Sequence, residues 1–342
     1  MTDKKAVVYK GYPPDHCCVG SNVQILPNGE FAAFFVTGGP REPDVKNYIA
    51  LCRSTEPGLA WSTPPETVLK LHDRACLCPG IYVDGGSIVI HALTHDGSWG
   101  KWRNYTVESH DNAHSWSDPE FFTPSPRRTF IRNRYVATWG EWFLPLQSAH
   151  DVQDWTDIPN ADGSLRPPVN GVLVSSDNGQ TWTASEVISG ANRFAENNVV
   201  ELSDGKMVML IRSDGAGCLL RSDSNDRGRT WSEPRRTDIP NPGSKFRLFR
   251  LKGGQILLVH NPNPATSHPN SEPQKQCQRN PLSIWISGDD MESWGYRRDL
   301  TDFPGMLAYP DGVVDESNNI LHIAFDYNRH DVIYWGAELP SE

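Results

Sequence analysis

Serine, aspartate, glycine, threonine and tryptophan recur in this chain at one fixed spacing. The pattern Ser-x-Asp-x-Gly-x-Thr-Trp is complete at Ser175, Asp177, Gly179, Thr181 and Trp182, and again at Ser224, Asp226, Gly228, Thr230 and Trp231. Degenerate copies stand at Ser109, Asp111, Ser115 and Trp116, at Ser287, Asp289, Ser293 and Trp294, and at Ser54, Glu56, Gly58 and Trp61. Such aspartates could be taken for catalytic acids. In a turn, however, short polar side chains bond the turn's own amides, and a tryptophan can pack beneath the hairpin. The boxes are therefore expected to staple turns.

Other chemistry-bearing residues are less patterned. His16, His150, His260 and His268 are scattered, with no metal-ligand spacing, so no metal site is expected. Seven cysteines are an odd number, and neither the adjacent Cys17 and Cys18 nor the close Cys76 and Cys78 makes the paired CxxC frame of a zinc site. They read as free thiols, buried as small hydrophobes, in a reducing compartment. Arg132, Arg134, Trp139, Glu141 and Trp142 cluster in one stretch, where the aromatics could either stack on sugar faces or pack between sheets. Glu196 stands just before an apolar strand, and Arg212 at the end of the next one.

The elements that must hold these residues are short strands. From Glu196 to Trp231 the chain alternates apolar runs with turns, one of them at Asp204-Gly205, which describes a meander. Hairpins with polar or glycine-containing turns recur at 25 to 35, 82 to 92, 201 to 211, 250 to 260 and 313 to 325, with a weaker one at 134 to 146. Six such units in 342 residues allow about 57 residues each, the size of one four-stranded sheet with its loops. Box tryptophans 49 to 66 residues apart agree with that period. Six small sheets can hide both their apolar faces and their edges by packing radially, so a six-bladed β-propeller forming a single domain over residues 1 to 342 is expected. The N-terminal strand AVVYKGY would complete the last sheet beside VIYWGAEL. A pair of β-sandwiches is the alternative architecture.

Composition narrows the function. A net charge of -10 supplies no basic field, which argues against a nucleic-acid partner while leaving room for a local cationic pocket. No run of about 18 apolar residues suggests a membrane span, and MTDKKAVVYKGYPP lacks the apolar core of a signal peptide. A soluble, cytoplasmic protein with no cofactor is expected.

Boxes repeated over a six-unit meander resemble the sialidase superfamily, the six-bladed Asp-box or BNR propellers, and the similarity runs over nearly the whole chain. That resemblance implies a Tyr nucleophile paired with a Glu, an Asp acid/base and three arginines that clamp a carboxylate. Glu196, ahead of VVELSDG, matches the catalytic Glu, and Arg212 matches the second clamp arginine. Arg279, in RNPLSIWIS, falls at the third arginine, and Tyr309, in MLAYPDGVV, at the nucleophile. Asp44, after Gly39, Arg41 and Glu42, is the match to the acid/base.

The opening of the chain departs from the family. Where sialidases carry an Arg-Ile-Pro strand, this sequence reads VGSNVQILPNG, with no arginine between Lys10 and Arg41. The first clamp arginine is absent or rebuilt, with Arg41 or His16 as the candidates. The resemblance thus implies an exo-acting glycosidase that removes a terminal, acidic sugar from an oligosaccharide or glycoconjugate. In it Glu196 takes the Tyr309 proton, Asp44 protonates the leaving oxygen and Arg212 and Arg279 grip the substrate. A lyase using Tyr309 or His16 as base, a neutral-sugar glycosidase and a non-catalytic sugar-binding propeller remain open on the same fold.

Overall fold

The computed structural model describes residues 3–98, 101–124, 129–148, 169–185, 188–189, 196–213, 215–264 and 279–340. His150, His268, Cys277 and nearly all of the polar insertion from Ala149 to Asn170 lie outside them. Among the described residues the chain is all-β, a six-bladed propeller of six antiparallel sheets. Its contacts divide into two compact units, Met1–Phe122 with Met306–Glu342, and Thr123–Gly305.

The first unit holds three sheets. One runs β2 (Cys18–Ile25), β3 (Phe31–Thr37), β4 (Tyr48–Ser54) and β5 (Glu66–Leu69). The next runs β6 (Ala75–Asp84), β7 (Ser87–His95), β8 (Arg103–Ser109) and β9 (Glu120–Phe121). The third joins the two ends of the chain: β1 (Lys4–Lys10) pairs with β26 (Asp331–Glu338), followed by β25 (Ile320–Tyr327) and β24 (Leu307–Asp315). This is the closure anticipated from AVVYKGY, and it follows from the need to cover an open sheet edge.

The second unit holds the other three. Strands β10 (Thr129–Ile131), β12 (Trp142–Ser148), β13 (Val169–Ser175) and β14 (Thr183–Ala184) form one sheet, with the short β11 (Tyr135–Val136) and β15 (Ile188–Ser189) beside it. The meander supplies β16 (Asn197–Glu201), β17 (Met207–Ile211), β18 (Cys218–Ser224) and β19 (Arg235–Pro240). The last contains β20 (Arg247–Arg250), β21 (Ile256–His260), β22 (Ser283–Ser287) and β23 (Tyr296–Asp299).

Burial explains the strand order. Strands β16 and β17 are buried at every position, while the outer β19 and β23 are largely polar and exposed at half of their positions. Alternation then divides one sheet between two cores. Val199, Met207, Met209 and Ile211 pack with Phe143 and Val172 on one side, and Val200, Val208 and Leu210 pack with Phe246 and Leu258 on the other.

The boxes are turn staples. In the complete box at 175 to 182, the Ser175 hydroxyl accepts the Gly179 amide and donates to Asp177, whose carboxylate receives the Thr181 amide and hydroxyl at 2.8 and 2.6 Å. The same bonds repeat around Asp226, Asp111 and Asp289. The fifth box differs, having Glu56 where the others have Asp. It keeps the Ser54 hydroxyl on the Glu56 amide, and its Trp61 indole donates to the Pro57 carbonyl.

Held first by the Thr181 hydroxyl, the Asp177 carboxyl lies down at about 2, too acidic to donate a proton at neutral pH. A carboxyl depressed in the fold stabilises it above its ordinary value of 3.8 and ceases to do so as pH falls through about 2. Asp177→Asn should therefore melt below wild type at neutral pH, and thermal unfolding at decreasing pH should find that gap closing across this window. A gap unchanged by acid would show that the staple does not work through the ionised carboxylate.

Candidate active site

Extension of the β16–β17 ladder by one pair sets Glu196 opposite Arg212, whose amide donates to the Glu196 carbonyl at 2.8 Å. Their side chains meet as well. Nη1 of Arg212 donates to both carboxylate oxygens of Glu196, at 2.9 and 2.8 Å, with the two side chains 1% and 6% exposed. Arg132, just past β10, brings Nη2 to 3.9 Å from the same carboxylate and also donates to Gln147. Arg279 is buried, donates to the Gly243 carbonyl at 3.1 Å and adds its field at Glu196. Burial pushes the Glu196 carboxyl up, but Arg212 first, then Arg132 and Arg279, outweigh it and hold the group below the ordinary carboxylate value. Glu196 is an anion at neutral pH, available to accept a proton rather than to donate one.

In the first unit, the bulge between Ala308 and Asp311 interrupts β24 at Tyr309, which adopts φ 55°. Above its ring, 5.4 Å from the centroid, lies the guanidinium of Arg329. Arg329 donates to Glu42 and stands 4.0 Å from Asp326, whose side chain is fully buried. Asp44 shares this neighbourhood: burial pushes the Cys17 thiol up to about 12, and Glu42, Arg329, Asp326 and Asp44 all act on it.

Asp44 is set by its loop. Its amide donates to Asn47 Oδ1 and its own Oδ1 accepts the Lys46 amide, both at 2.9 Å. Gly39 makes the fold of that loop possible, because it sits at φ 75° and a Cβ there would come within 2.9 Å of the Asp44 carboxyl carbon. Val45 and Lys46, next in sequence, line a groove of about 670 Å³ with Asp15, Tyr48 and Lys70.

The sequence candidates thus fall into two groups. Glu196, Arg212 and Arg279 come together, and Tyr309 and Asp44 lie with a different set of charges. Arg41 is exposed and contributes its carbonyl, an acceptor for Asn47, while His16 carries the backbone that crowds Gly11. The cations the sequence reading did not single out are Arg132 at Glu196 and Arg329 at Tyr309. In sequence Arg132 is one of a polar and aromatic stretch, and the rest of that stretch packs. Arg134 covers the Trp142 ring at 3.9 Å, and Glu141 accepts from Trp139, Ser176 and Arg229. His260 is buried edge-on to Trp285 and pushed down to about 3 by that burial, a neutral packing residue. All six described cysteines are buried.

Comparison with known proteins gives these features a family. Residues 29–323 match the BNR repeat-like domain. A sialidase from Paraclostridium sordellii is 28% identical over 236 residues, 61% of this chain and 56% of the relative. One from Clostridium perfringens is 28% identical over 270 residues, 70% of this chain and 69% of the relative. The chain therefore spans little more than half of the first relative's length. Among solved structures, Hadza microbial sialidase Hz136 superimposes with a TM-score of 0.74 at 18% identity, covering 94% of this chain and 66% of that one. Trypanosoma rangeli sialidase in complex with sialic acid gives 0.70 at 15% identity, over 99% and 59%. A protein of unknown function from Dyadobacter fermentans gives 0.72 at 16%, over 98% of both chains. At such identities the structural likeness speaks for the fold. With one family match running through all six sheets and their boxes, the chain belongs to the BNR repeat-like domain family and is a sialidase-like six-bladed β-propeller.

Proposed function

We propose that the chain is an exo-acting glycoside hydrolase that removes a terminal acidic sugar from an oligosaccharide or glycoconjugate. The observation that carries this reading is the buried Glu196 carboxylate with three arginines, Arg132, Arg212 and Arg279, acting on it. Guanidiniums grip a carboxylate through charge-assisted forks, and a low-dielectric wall strengthens that grip. The sialidases among the relatives and the sialic acid complex among the structural neighbours support the same class of substrate.

The roles are those the family resemblance implies, and the residue chemistry suits them. A neutral phenol approaches an anionic sugar without the repulsion a carboxylate nucleophile would meet, so Tyr309 attacks the anomeric carbon as Glu196 takes its proton. Asp44 protonates the leaving oxygen, and water reverses the sequence to release the sugar. The arginines make Glu196 a weak base by themselves. A substrate carboxylate that draws on the same guanidiniums would raise its basicity when the proton has to move.

Turnover of a panel of aryl glycosides tests the reading. The expected outcome is cleavage of acidic-sugar glycosides with neutral ones untouched, and Arg132→Gln should raise KM on the acidic substrate by about tenfold to a hundredfold. Cleavage of neutral sugars only would sink the acidic-sugar assignment. An unsaturated, ultraviolet-absorbing product would turn the assignment to a lyase.

A further inference from the structure

We propose that Arg329, locked by Glu42, is a positioning residue for Tyr309 and not a ligand for the charge of the substrate. The inference rests on the hydrolase reading above and assigns work within that site to a pair of residues outside it.

Three observations carry it. The first is charge. Arg329 donates to Glu42 and lies 4.0 Å from Asp326, so two carboxylates already face one guanidinium. Burial disfavours the cation, yet Glu42, then Asp326 and Tyr309, hold it protonated well above its ordinary range. To offer a fork to an incoming carboxylate, Arg329 would have to leave Glu42 beside Asp326 without a counter-charge, a costly exchange in a partly buried place.

The second is backbone conformation. Tyr309 and Arg329 sit at φ 55° and 65°, where residues with a Cβ are rare. Each such conformation is unfavourable for a side chain with a Cβ and persists only where the surroundings impose it. Here two of them bring one guanidinium over one phenol ring, at 5.4 Å.

The third is anchoring of the turn between β25 and β26 that carries Arg329. The Arg329 carbonyl accepts the Cys18 amide at 2.9 Å. Asn328 clasps Met306, three residues before Tyr309, through its amide at 2.9 Å and its side-chain oxygen at 2.8 Å. The cation and the phenol are thereby fixed to one another through the main chain as well as through space. A guanidinium on the ring face holds the phenol's direction and favours the negative charge it gains as its proton leaves.

The test combines kinetics with a titration that needs no activity. For Arg329→Gln, an aryl α-sialoside assay should find kcat about 100-fold lower and KM within about twofold of wild type, as expected when a nucleophile is misplaced without losing substrate contacts. Arg329→Lys, which keeps the charge, should recover about tenfold of the loss. The tyrosinate absorbance of Tyr309, isolated by difference against Tyr309→Phe, should appear at higher pH in Arg329→Gln, because a cation is lost while Glu42 and Asp326 remain. The double variant Glu42→Gln with Arg329→Gln guards against misfolding from a stranded carboxylate, and its titration should fall between the two. A raised KM with kcat intact would overturn the proposal in favour of substrate binding, and an unmoved titration would overturn it outright. Should wild type cleave no acidic-sugar glycoside, the hydrolase reading is what fails, and the titration still decides whether Arg329 governs Tyr309.

Discussion

Tyr309→Phe is expected to abolish turnover of an acidic-sugar glycoside, lowering kcat by about 1000-fold or more while the protein stays folded. The substitution removes one oxygen. The ring that faces Arg329 remains, and so does the backbone bulge that turns residue 309 into φ 55°. Melting temperature should match wild type closely, which separates a chemical loss from an unfolding one. KM is informative too. If the phenol acts only as nucleophile, binding survives, and the variant should still bind a substrate it cannot cleave. Full activity in Tyr309→Phe would remove the tyrosine from the mechanism and return the Glu196 cluster to an unassigned anion site.

The second large effect falls on stability. Arg212→Met should destabilise the protein by about 3 kcal/mol, because it strands a buried carboxylate that loses both of its hydrogen bonds from Nη1. Arg132, at 3.9 Å, covers only part of the loss. The pH dependence gives a sign to check. In wild type the Glu196 carboxyl lies below its ordinary 4.5, so its contribution is present above that value and is lost as pH falls. Without Arg212 the largest lowering influence is gone while burial remains. The folded carboxyl is then easier to protonate than in wild type, and the variant loses less stability in acid than wild type does. Urea unfolding at neutral pH and below 4.5 should find the gap between the two proteins narrowing as pH falls. The double variant Glu196→Gln with Arg212→Met should recover much of the loss, since no charge is left buried. A gap that widened in acid would mean Glu196 is protonated in the wild-type fold.

Both effects depend on contacts that differ in how far they could be read from sequence. Glu196 and Arg212 are 16 residues apart across one hairpin, and the Asp204-Gly205 turn together with alternating apolar residues sets their register. That pair was legible. Arg329 and Glu42 are 287 residues apart, and no local rule joins them. They meet because the sheet of β2 to β5, near one end of the chain, packs through β2 against β24 and β25 from the other. Arg132 and Arg134 looked alike in sequence, yet one reaches Glu196 and the other lies over Trp142. Trp139 and Glu141, which could have formed a sugar-stacking rim, are held with Arg229 and Ser176 in packing around a box turn.

By itself the sequence determined what short-range physics decides: the hairpin turns, the alternation that makes strands, the box staples around Asp111, Asp177, Asp226 and Asp289, and from their period the six-sheet propeller. These depend on φ preferences, side-chain periodicity and hydrogen bonds within a few residues, all written locally in the chain. Only the tertiary structure decided which cation stands by which acid. An arginine side chain is long and equally able to pair, stack or bind a ligand, and its choice is made by whatever distant strands set within its reach. The β24–β25–β26 meander gave Tyr309 the company of Arg329, the packing of β2 against β24 and β25 set the sheet that carries Glu42 beside them, and the packing of the second unit gave Glu196 the field of Arg132.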